Sequence, residues 1–63
     1  MEHRGLVILR AIAEESGDHL DDVIAGLEGE SPSGRYEILS DMYQRDDEAI
    51  KDVEDYLAQR KAL

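Results

Sequence analysis

Residues 20–27 read Leu-Asp-Asp-Val-Ile-Ala-Gly-Leu. Leu20, Val23, Ile24 and Leu27 fall at i, i+3, i+4 and i+7. That spacing collects apolar side chains into one stripe of an α-helix. Asp18 is a good N-cap residue, and Asp21 and Asp22 would occupy the first turn, where the helix dipole favours negative charge. Gly29 ends the segment. Gly26 lies inside it and costs about 1 kcal/mol relative to Ala, so it is read as a place where a neighbouring helix comes close.

Upstream, residues 2–15 form a second helical segment. Leu6, Leu9 and Ala13 share one stripe, Ile8 and Ile12 share the next, and Val7 lies outside both. The run Leu6-Val7-Ile8-Leu9 has strand character, but no second strand-like segment exists to pair with it. Ser16-Gly17 stops this helix, with Gly17 suited to a left-handed cap. His3 is placed at a frayed terminus.

Downstream, Ser31-Pro32 is a helix start, with Ser as N-cap and Pro at the first helical position. Tyr36, Leu39 and Tyr43 form one stripe, and Ile38 with Met42 forms another. Asp41 and Arg45 are spaced to pair at i, i+4. A last helix starts near Asp46, with Ile50, Val53 and Leu57 on its buried stripe and Arg60 and Lys61 in its final turn. The links are two to five residues long, and short links make antiparallel neighbours. The expected fold is all-α: one domain over residues 1–63, a compact antiparallel bundle of three to four short helices.

A chain of 63 residues buries only about 60% of its unfolded surface. It has no Cys, so disulfides and thiolate chemistry are excluded. Tight packing, oligomerisation or a partner must supply the remaining stability. Sixteen acids against seven bases give a net charge of −9. That balance disfavours phosphate backbones and anionic membranes, which need clustered cations. It suits a basic protein partner, and equally suits solubility or a high-salt cytoplasm. No apolar run reaches the length of a signal-peptide core or a membrane span, and the expected location is cytoplasmic.

Catalytic and metal motifs are missing. Asp18, His19, Asp21 and Asp22 could be read as a cation or general-base cluster, but neighbouring residues on a helix diverge, and a solvated capping turn accounts for them. No phosphate loop, nucleophile elbow, zinc-binding helix motif or calcium loop occurs. The expectation is a protein that is not an enzyme, with no cofactor and no metal.

The segment 24–42, IAGLEGESPSGRYEILSDM, resembles the opening of a PadR-type winged-helix regulator. There a small apolar helix leads into a Gly-Pro turn, a Gly-Tyr-Glu and another helix. The likeness covers under a third of the chain, Arg35 separates Gly34 from Tyr36, and no wing strands follow. It implies a helix–turn–helix that binds DNA, carries over no functional residue, and supplies the alternative reading.

The leading reading is a small acidic interaction module that regulates or inhibits a larger, basic protein. Three groups are candidate contacts. Leu6, Val7 and Leu9 belong to a first helix with more apolar surface than so small a bundle easily covers, which also suggests a homo-oligomer. Tyr36 and Tyr43 are seven apart and would share one face; tyrosine is enriched at interface hot spots. Glu48, Asp52 and Asp55 form an acidic stripe at i, i+4 and i+7, able to meet a basic patch or to imitate nucleic-acid phosphates.

Overall fold

Capping chemistry sets the boundaries of the helices in a computed structural model, which describes residues 1–62. Helix α1 spans Arg4–Ser16. His3 is its N-cap: the His3 Nδ1 accepts from the Gly5 amide at 2.9 Å, and the imidazole lies 5.4 Å from the Tyr56 ring. The histidine expected to fray is therefore tied at both ring and edge. Gly17 closes α1 at φ 73°, the left-handed conformation that glycine adopts without Cβ strain. The Asp18 amide then donates to the Ala13 carbonyl at 3.0 Å, as in a Schellman closure.

Helix α2 spans Leu20–Glu28 with His19, not Asp18, at the N-cap position and no side-chain cap. Asp18 is spent on closing α1 through its backbone, so the expected cap moves one residue along. Helix α3 spans Pro32–Glu37, and Ser31 caps it as expected, its Oγ accepting from the Gly34 amide at 3.1 Å. The chain then runs straight into a π-helical turn, Ile38–Met42. There the Tyr43 amide reaches the Ile38 carbonyl and the Arg45 amide reaches the Leu39 carbonyl. Gln44 takes φ 55° to leave the turn. Helix α4 spans Asp47–Ala62, capped by Asp46, whose Oδ1 accepts from the Ala49 amide at 2.8 Å.

The four helices form an all-α bundle, with no strand among the described residues. One core joins Leu9 and Ile12 of α1, Ile24 and Leu27 of α2, Leu39 of the π-turn, and Ile50, Val53 and Leu57 of α4. The most extensive packing is α1 on α4. His3 lies by Tyr56 while Glu15 pairs with Arg45, so the two helices run antiparallel.

Gly5 is where they touch. A Cβ there would overlap the Asp52 carbonyl oxygen and stand 2.6 Å from Tyr56 Cβ. The close approach expected at Gly26 occurs at Gly5 instead; a Cβ on Gly26 would meet nothing within 4 Å.

Arg35 is the main polar fastener. Its guanidinium bonds Glu54 of α4 in a fork, at 2.5 and 3.0 Å. It also donates to the Leu27 and Glu30 carbonyls at 3.2 and 2.6 Å. It thereby adds a second donor to the Leu27 carbonyl, which already accepts from the Glu30 amide, and satisfies the Glu30 carbonyl past the end of α2, while joining α3 to α4. The bond to Glu54 holds the Arg35 guanidinium above its ordinary pKa.

Candidate functional site

Two grooves mark the surface. The larger, about 620 Å³, lies along the α1–α4 seam and is lined by Val7, Ile8, Glu48, Asp52 and Asp55 among others. Val7 and the acidic stripe, read from separate helices, are thus brought together. Val7 is 49% exposed because it points away from the face that carries Leu9 and Ile12. The stripe is not uniformly open. Asp52 pairs with Arg4 at 3.5 Å, and Lys51 and Arg4 also line the groove. Glu48 and Asp55 are exposed and form no ion pair among the described residues.

Leu9 leaves the candidate surface. It is 0% exposed, as is Ile12, so this part of the surplus apolar face expected on α1 belongs to the core of the bundle. Leu6 and Ile8 are half-buried. A 3.6-residue period reports which side chains share a face, but not how many helices close over it.

The tyrosines separate as well. Tyr36 is 47% exposed, and its hydroxyl donates to Asp47 Oδ1; that bond and the adjacent charge raise its pKa. Tyr43 packs partly buried against the core. Seven residues return to one face only if every turn is α-helical, and the π-turn between them is wider. The expected Asp41–Arg45 pair is replaced for the same reason. Arg45 bonds Glu15 at 2.9 Å and the Tyr43 carbonyl at 2.6 Å.

Pairing thins the acidity. Five acids are engaged: Glu2 by Arg10, Glu15 by Arg45, Glu28 by Arg60, Asp52 by Arg4 and Glu54 by Arg35. Asp46 and Asp47 are occupied by the α4 cap and by Tyr36. His19 is exposed, and no three His, Asp or Glu side chains among the described residues converge as metal ligands. No described helix is long and apolar enough to cross a membrane.

A second groove, about 360 Å³, lies between α2 and the π-turn, and of the candidate contacts it holds Tyr43 alone. Met42 at its edge is 69% exposed. The spacing of Ile38 and Met42 reads as a stripe of a regular helix. Their periodicity holds no signal for a π-turn.

Comparison with known protein families, curated proteins and solved structures yields no match.

Proposed function

We propose that this chain is a small interaction module that regulates or inhibits a larger, basic protein, engaging it through the α1–α4 groove. The observation that carries the reading is the meeting of exposed Val7 with Glu48 and Asp55 across one seam. An apolar contact flanked by free carboxylates can desolvate at its centre and steer a cationic surface at its rim. The net charge of −9 extends the attraction beyond the contact itself.

The DNA-binding alternative has less support. Arg35 is the single Lys or Arg between residues 11 and 44, and it is committed to Glu54 and two carbonyls. A recognition helix needs free cations for phosphates and base edges. Of the α1 residues behind the homo-oligomer reading, Leu9 lies in the core, Leu6 is half-buried and Val7 is exposed.

The test is affinity capture at low and high salt from the organism that makes the protein, with wild type and a Glu48→Gln/Asp55→Asn variant side by side. The expected result is a basic protein retained by wild type at low salt, released by salt, and lost with the variant. Equal capture by both would overturn the acidic groove as the contact.

A further inference from the structure

The groove between α2 and the π-turn has an apolar floor made by Val23, Leu27, Ile38 and Tyr43. Its edge is Met42, the most exposed large hydrophobic side chain within any described helix. A flexible thioether adapts to varied apolar surfaces, and π-turns recur at functional positions.

Gly26 is the telling residue. It sits in the interior of α2, where glycine costs about 1 kcal/mol against alanine. The fold does not require it: its φ is not positive, and a Cβ would meet nothing within 4 Å. Its effect is to keep the groove open, one turn beyond Asp22 on the same face of α2, with Asp18 just ahead of the helix. Those two aspartates line the groove, and no Lys or Arg does.

We propose that this groove receives an amphipathic, basic helix from another protein. The floor calls for an apolar stripe, and a channel between two helical elements suits the helix-in-groove mode. The bare backbone at Gly26 admits close approach of the incoming helix. Charge selects among occupants. A second copy of this chain would bring the same acids and a further net charge of −9, whereas Lys or Arg beside the apolar stripe would meet Asp18 and Asp22. The inference stands apart from the α1–α4 reading, because the two grooves share no lining residue.

The test uses a synthetic helix of about 16 residues, long enough to hold helical structure. It carries Leu at i, i+3, i+4 and i+7 with Lys elsewhere, and a control carries Glu in place of Lys. Each is titrated into the 15N-labelled protein. The expected result is saturable amide shifts at Val23, Gly26, Met42 and Tyr43 with the Lys peptide alone. Gly26→Leu, which fills open space, should keep the helical circular dichroism and weaken binding about tenfold or more. Met42→Ser, at an exposed position, should weaken it several-fold and serves if the first variant misfolds.

With the peptides, four results would overturn the proposal. These are shifts confined to Glu48, Asp52 and Asp55, equal binding of the Glu peptide, undiminished binding by the variants, or no saturable shift with either peptide. A dimer in light scattering that Gly26→Leu dissolves would place a second copy in the groove and also overturn it.

Discussion

Gly5 and Asp52 meet backbone to backbone: α1 lies so close to α4 that a single methyl on Gly5 would overlap the Asp52 carbonyl. Gly5→Ala should therefore lower stability by about 2 kcal/mol, within the range for overpacking, despite the better helix propensity of alanine. Gly26→Ala should do the opposite and raise stability by up to about 1 kcal/mol. Urea unfolding of the two variants checks both signs. Equal effects would show that the α1–α4 contact is not tight.

Arg35 holds three elements at one point, and its fork matches the Glu54 carboxylate in a way lysine cannot. Arg35→Met should cost about 2–3 kcal/mol. A domain of this length has only about 3–9 kcal/mol to lose. Arg35→Lys should recover less than half of the deficit. Thermal melts followed by circular dichroism measure this, and full rescue by lysine would show that charge alone matters.

The Tyr36 hydroxyl donates to Asp47 and gives up its proton above the ordinary phenol range. A phenol whose folded pKa is raised adds stability below its unfolded pKa and loses it as pH rises through the folded value. The loss thus falls above about pH 10. Ultraviolet titration should show Tyr36 ionising late, and Asp47→Asn should bring it back toward the ordinary phenol range. An unchanged titration would remove the bond.

Five ion pairs among the described residues, all but Arg35–Glu54 at the surface, leave most of the acids without a cation. Exposed pairs contribute little, while like charges repel until salt screens them. Added salt should raise the melting temperature; relief of about 1 kcal/mol corresponds to roughly 4–8 °C in a small domain. A fall in melting temperature would show that the pairs outweigh the repulsion.

Much of the bundle was legible in the sequence because capping and period agreed. Ser31-Pro32, Gly17, the stripe at Leu20, Val23, Ile24 and Leu27, and the start of α4 at Asp46 all occur where the residues indicate. Three things were hidden. Leu9 reads as surface or core alike until the number of covering helices is known. Gly5 carries no local mark of the helix across from it, whereas Gly26, set inside a clear helical stripe, invites the close approach that occurs at Gly5 instead. The π-turn defeats any fixed period, so Tyr36 and Tyr43 were assigned one face and occupy two settings. Of the acidic stripe, Glu48 and Asp55 keep free carboxylates, while Asp52 is drawn to Arg4.

The antiparallel seam of α1 and α4 also fixes how the molecule responds to load. His3 lies beside Tyr56 and Gly5 against Asp52, so the first residues lie alongside the middle of α4. Tension applied across the two ends would not shear the helices along their length. It would open the seam one contact at a time, beginning at the imidazole and passing through Gly5. The close backbone contact at Gly5 is thus placed near the mouth of a zipper, where a pull on the first residues is felt early.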